Sequence, residues 1–131
     1  MRLIVPVLLA AFSFSPGAAA AVAPDIHVDV PAKSKNLEVN VVEHDYAPGQ
    51  SSGWHIHHGV EIAYVLSGAM NVQIAGGPIR HVAKGDTFEI ERDTPHIGTN
   101  ASTTEPAALL ITYLKDRNGP LAIPVQRPSP H

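Results

Sequence analysis

Apolar and polar residues alternate with a period of two over much of the chain, and no stretch holds the three-to-four period of a helix. Leu37-Glu38-Val39-Asn40-Val41 alternates cleanly, as a strand with one buried face does. Trp54 to His57, Val60 to Leu66, Met70 to Ile74, Ile79 to Val82, Thr87 to Ile90 and Ala107 to Leu114 are further strand-like runs. Turn formers stand between them: Pro48-Gly49, Ser67-Gly68 and Gly76-Gly77-Pro78. Short strands at this spacing predict an all-β sandwich or barrel. One run is unusual, because Ile62 to Leu66 is apolar on both faces. Alternation from Glu61 puts Ala63 and Val65 inside and Ile62, Tyr64 and Leu66 outside. An apolar outer row needs a cover, and a homodimer is the expected one.

The first residues follow a different pattern. Met1-Arg2 is basic, Leu3 to Phe14 is apolar apart from Pro6 and Ser13, and small residues follow from Ala18 to Ala23. That order predicts a secretory signal peptide over residues 1–20, cleaved at 20/21 or 21/22. The apolar run is shorter than the about 20 residues that span a bilayer. The expected destination is the periplasm or the exterior, with no membrane attachment after cleavage. A mature chain of about 110 residues holds one core, placed at residues 35–115. Val125 to His131, with two prolines, is expected to be a loose tail.

Composition narrows the chemistry. The 131 residues include no cysteine, which excludes disulfides and thiolate metal ligands. A net charge of −3 without basic runs argues against nucleic acid as a partner; a small molecule is expected instead. The eight histidines are the notable resource. His55 and His57 are two apart, so on a strand they share a face. Glu61 follows across the His58-Gly59 turn, where the next strand can return a carboxylate to the same point. Burying such groups unpaired is costly, and one divalent cation satisfies them together. Nitrogen and carboxylate donors without sulfur suit Mn, Fe, Co, Ni, Cu or Zn. His58 points away from this pair if the strand continues. His27, His44, His81 and His131 are expected at the surface, Trp54 on the opposite side of its strand from the ligands, and Asn100 in a turn.

These residues carry a resemblance. Gly49, five residues, His55-Ile56-His57, three residues, Glu61, six residues and Gly68 resemble the first cupin motif in full. Gly85, His96 and Asn100 fall at the spacing of the second, with Glu91 and Asp93 standing where proline and glycine are usual. The turn before His96 is therefore expected to depart from the family form, with Pro95 partly restoring stiffness. The motifs are separated by 16 residues, Ala69 to Lys84. The resemblance, over about Leu37 to Leu114, implies a small single-domain cupin β-barrel of jelly-roll type holding one metal with His55, His57, Glu61 and His96.

It leaves the activity open. Cupins with this ligand set include quercetinase-like dioxygenases, oxalate-degrading enzymes, superoxide dismutases and sugar isomerases, and some small cupins only bind ligands. Three readings follow: an oxidoreductase with Glu61 doubling as a base; a non-redox isomerase, lyase or decarboxylase on a small hydroxy-acid or sugar; or a non-catalytic metal- or ligand-binding module. Neither Arg80 nor Arg92 can be placed at the ligands from sequence.

Overall fold

The computed structural model describes residues 36–129. The expected signal peptide, the lead-in that follows it, His27 and His131 lie outside the described residues. Nine strands follow in chain order: β1 (Leu37–Tyr46), β2 (His55–Ile56), β3 (Gly59–Ser67), β4 (Ala69–Ile74), β5 (Ile79–Ala83), β6 (Thr87–Ile90), β7 (His96–Asn100), β8 (Ala107–Asp116) and β9 (Ile123–Pro124). They form two sheets, ordered β1-β8-β3-β6 and β5-β4-β7-β2-β9, and all pairings are antiparallel. The all-β barrel expected from the alternation is the fold observed. Among the described residues no helix is long and apolar enough to cross a membrane.

Period-two alternation explains which side chains fill the barrel. Along β8, Ala107, Leu109, Ile111 and Tyr113 point inward and are buried; along β3, Glu61, Ala63 and Val65 do the same. Met70, Val72, Val82, Phe88 and Ile90 close the core from the other strands. Each large side chain in this set contributes about 1.5–3 kcal/mol through the apolar area it removes from water. The inward row of β3 begins with a carboxylate at one end of the barrel and runs into apolar core at the other. That placement leaves the candidate metal ligands at a mouth, supported from below by packed hydrocarbon.

Several boundaries differ from the sequence reading. The polar stretch Glu43 to Asp45 still belongs to β1, because its backbone pairs with β8 through Tyr46↔Ala107. β7 was not expected, since Gly98 interrupts any apolar alternation; it pairs with β4 along its whole length. β9 lies beyond residue 115 and pairs with β2, and Val125 donates its amide to Trp54 O at 2.9 Å. The start of the segment expected to be loose is thus tied to the sheet. A register shift between Val65 and Ser67 takes Leu66 out of the simple alternation. The exposed apolar side chains on the outer face of the four-stranded sheet are instead Val39, Val41, Tyr64 and Leu110.

Two glycine-linked details hold the mouth in shape. Gly59 opens β3 against β8 so closely that a Cβ there would lie 2.3 Å from Leu114 O and Lys115 Cα, a contact only glycine permits. Asp93, where the second motif usually has glycine, has φ of 58°. A left-handed conformation that glycine favours is thus taken here by an aspartate. Asp and Asn tolerate this conformation better than most residues. Here the Asp93 carboxylate is held by His58 Nδ1 at 2.5 Å and by Arg92 Nε at 3.3 Å.

Candidate metal centre

His55 is supplied by β2, His57 by the turn after it, Glu61 by β3 and His96 by β7. The His55↔His96 pairing in the sheet sets two of the imidazoles side by side. The ligand atoms of all four side chains lie within 4.8 Å of one another. That is slightly wider than the about 4.2 Å between opposite donors on an ion bound at about 2.1 Å. His57, Glu61 and His96 are buried and His55 is half-buried.

The three rings share one arrangement. Nδ1 of His55 bonds Gly53 O at 2.9 Å, Nδ1 of His96 bonds Thr94 O at 2.9 Å, and Nδ1 of His57 bonds Leu121 O. A carbonyl oxygen can only accept, so each Nδ1 carries the proton and each neutral ring turns an unprotonated Nε2 inward. His57 Nε2 then sits 2.6 Å from Glu61 Oε2, and His96 Nε2 3.3 Å from the same oxygen. Neither neutral ring has a proton on Nε2 to give, and both nitrogens are buried without a hydrogen-bond partner. Lone pairs facing a carboxylate oxygen at this range are compatible only if a cation or a proton lies among them. The donor set, with no sulfur, fits a divalent transition metal. The backbone carbonyls behind the rings are the partners that fix imidazole orientation in such centres.

Electrostatics agree with the geometry. Burial pushes the Glu61 carboxyl up, whereas positive charge or protons at the facing His57 and His96 nitrogens pull it down, and a cation held among them would act in the same direction. Burial pushes the His55 imidazole below its ordinary 6.5, which keeps it neutral as a ligand must be. Two tyrosines face the same space. Burial, reinforced by the Glu61 charge, pushes Tyr46 up to about 12 and raises Tyr113 as well. Both therefore keep their phenolic protons. Tyr113 packs on His57 with ring centroids 4.9 Å apart.

The centre opens into a cavity of about 640 Å³. Val42, Ile111, Leu121 and Pro124 give it apolar walls, the two tyrosines supply hydroxyls, and His44 stands at its rim. No lysine or arginine lines it. Its volume falls within the about 300–1,000 Å³ usual for small-molecule sites.

A family model for the cupin domain matches residues 42–113, more than half of the 131 residues. The chain belongs to the cupin family. This cupin is similar to an uncharacterised double-stranded β-helix protein from Klebsiella pneumoniae, with 26% identity over 62% of this chain and 70% of that one and a TM-score of 0.56. It is similar to an oxalate oxidase, with 29% identity over 66% of this chain and 46% of that one and a TM-score of 0.58. A structure from the DMSP lyases gives 25% identity, 67% and 44% coverage and a TM-score of 0.59. The chain thus spans less than half the length of the latter two. No curated protein matches the sequence.

Not every residue singled out in the sequence joins the centre. His58 turns away and bonds Asp93, half exposed, as its place next to His57 on an extended segment predicts. Asn100 is buried, not merely a turn former. Its Nδ2 donates to Tyr46 O, Ala47 O and Glu105 O at 3.1, 3.1 and 2.9 Å, and its Oδ1 accepts from Ser102 N at 2.9 Å. Arg92 lies outside the cavity, paired with Asp116 through both guanidinium nitrogens at 2.8 and 2.5 Å. The sequence reading missed Tyr46, Tyr113 and Leu121. The inward phase of β8 marks Tyr113 and the end of β1 marks Tyr46, whereas the Leu121 carbonyl is a backbone group with no residue signature.

Proposed function

We propose that this cupin is an exported, metal-dependent oxidoreductase of the quercetinase-like dioxygenase type, acting on a small molecule through an enol or hydroxyl oxygen. The observation that carries the reading is the cavity: His55, His57 and Glu61 of the donor cluster on its wall, apolar and aromatic neighbours, and no lysine or arginine among its lining residues. His55, His57, Glu61 and His96 would hold one divalent transition ion. When bound, that ion supplies a redox-active, Lewis-acidic centre for a substrate oxygen and dioxygen. The chain's residues do the rest. Val42, Ile111, Leu121 and Pro124 exclude water from an apolar substrate. Tyr46 and Tyr113 offer hydroxyls to its oxygens. Glu61 would double as the base that takes up the proton of a substrate hydroxyl. The likeness to an oxalate oxidase supports the oxidoreductase class.

A second reading, a non-redox lyase, isomerase or decarboxylase, is favoured by the likeness to DMSP lyases, since a Lewis acid beside a carboxylate base also serves elimination. Protein purified from its native compartment is analysed for its metal, then assayed for dioxygen uptake with phenolic and enolic substrates. The oxidoreductase reading expects a redox-active ion and dioxygen consumed in proportion to substrate, with activity lost on zinc exchange. Turnover that persists with zinc and without dioxygen would establish the second reading. No turnover with any ion would leave a binding module.

We further propose a homodimer in which the outer face of the four-stranded sheet is covered. Val39 and Val41 on β1, Leu110 on β8 and Tyr64 on β3 form an exposed apolar patch there, with Tyr64 directly opposite Leu110.

A further inference from the structure

The five-stranded sheet presents a different outer face. Asn71 and Thr99 stand opposite each other on β4 and β7 with Gln73 opposite Ile97, and all point away from the barrel interior because Met70 and Val72, between them, point in. Trp54 flanks this row, and the chain beyond β9 brings Arg127 and Ser129 across it. Together they line two adjoining depressions of about 310 and 330 Å³ that share Trp54, Gln73 and Arg127. Each is at the small end of ligand sites. Arg127 is the ionisable side chain among the lining residues, which include no Asp or Glu.

The polar groups are partly engaged and partly free to serve a ligand. Gln73 Nε2 donates to Gly77 O at 3.0 Å, and Asn71 Oδ1 meets His81 Nδ1 at 3.0 Å. These bonds engage one end of each amide and leave Gln73 Oε1 and Asn71 Nδ2 without a hydrogen bond among the described residues. A flat indole beside amides and a hydroxyl matches a pyranose ring, with one apolar face of C–H groups and an edge of hydroxyls that both donate and accept. The guanidinium adds a fork that fits a carboxylate bidentately.

We propose that this groove binds an acidic saccharide, a pyranose bearing a carboxylate, on the opposite side of the sheet from the metal centre. Trp54 stacks on the ring, Asn71, Gln73 and Thr99 engage its hydroxyls, and Arg127 reads its carboxylate.

Trp54 is the single tryptophan of the chain, so its fluorescence reports on the groove directly. The full chain is titrated with digalacturonate, with the neutral disaccharide maltose, and with benzoate as an acid without sugar hydroxyls. The expected result is a saturable change with digalacturonate, weaker binding of the other two, and about tenfold weaker digalacturonate binding in Arg127→Ala, in line with a charge-assisted bond. Asn71→Ala should give a smaller loss. Both variants should keep wild-type circular dichroism and metal stoichiometry, because neither residue lines the cavity. Trp54 also borders the cavity, so a fluorescence change that neither variant weakens would put the sugar there and overturn the proposal. Maltose binding as tight as digalacturonate would overturn the acid selectivity. Benzoate binding as tight would overturn the saccharide assignment, and no saturable change with digalacturonate would overturn the site.

Discussion

His57 and His58 are chain neighbours with opposite environments, and the contrast extends to the two sides of the wall they belong to. On the inner side, His57 is buried, its Nδ1 bonded to a carbonyl and its Nε2 turned to Glu61. On the outer side, His58 is half exposed and bonded to Asp93. Residue type is identical; what differs is the number of partners that fix the ring. An imidazole held in one tautomer in a desolvated pocket presents a lone pair to a cation, whereas one paired with a carboxylate in partial solvent is a surface contact of small energetic weight. The lesson is that ligand identity in this barrel is decided by face, not by histidine count.

The largest expected effect comes from removing an inner ligand. His57→Ala should weaken metal affinity by more than about a hundredfold, because changes to outer partners of ligands alone cost about 10–100-fold; calorimetry with elemental analysis reads it. Protonation attacks the same face more gradually. Burial lowers the His55 pKa from 6.5, so between that depressed value and 6.5 the unfolded chain takes up a proton that the folded site refuses. The stability this group contributes is therefore present above 6.5 and is lost as the pH falls through the depressed value. Protons also compete with metal for imidazole nitrogen, so retention should fall as the medium is acidified, measured by dialysis and metal analysis across a pH series.

The outer faces should respond without disturbing the centre. Leu110→Asp places a charge in the apolar patch beside Tyr64 and should convert a dimer to a monomer in light scattering, with metal content unchanged. A wild-type monomer at micromolar concentration would remove the dimer from the account. The smallest effect belongs to His58→Ala. Losing an exposed pair should cost about 0–1 kcal/mol in denaturant unfolding and leave metal stoichiometry as in wild type.

The fold was legible because period-two alternation is clean at the start of β1 and in β4, and because strand-length apolar runs in β3 and β8 end at turn formers. The clustering of the four candidate ligands was legible because strand geometry puts His55 and His57 on one face and the motif spacing brings in Glu61 and His96. Other features leave weaker traces. β7 carries Gly98 in its middle and relies on pairing with β4, a long-range contact that no local pattern encodes. Leu66 is displaced by a bulge, which shifts the apolar outer patch toward β1 and β8. Asp93 takes a conformation usually reserved for glycine because neighbouring His58 and Arg92 hold its side chain, a compensation visible only in three dimensions. The Leu121 carbonyl behind His57 is backbone, and its position depends on how the chain returns after β8. There, buried Lys115 bonds Glu38 Oε1 at 2.5 Å and Gly119 O at 2.7 Å, which helps set the course of that return.

The central claim, that three imidazoles and one carboxylate share a single ion, is tested most directly by X-ray absorption on protein loaded with one equivalent of metal. The account predicts a first shell of nitrogen and oxygen at about 2.0–2.2 Å, no sulfur, and the multiple-scattering signature of three imidazoles that drops to two in His57→Ala and stays at three in His58→Ala. A shell with one imidazole or none, or one unchanged by His57→Ala, would contradict it.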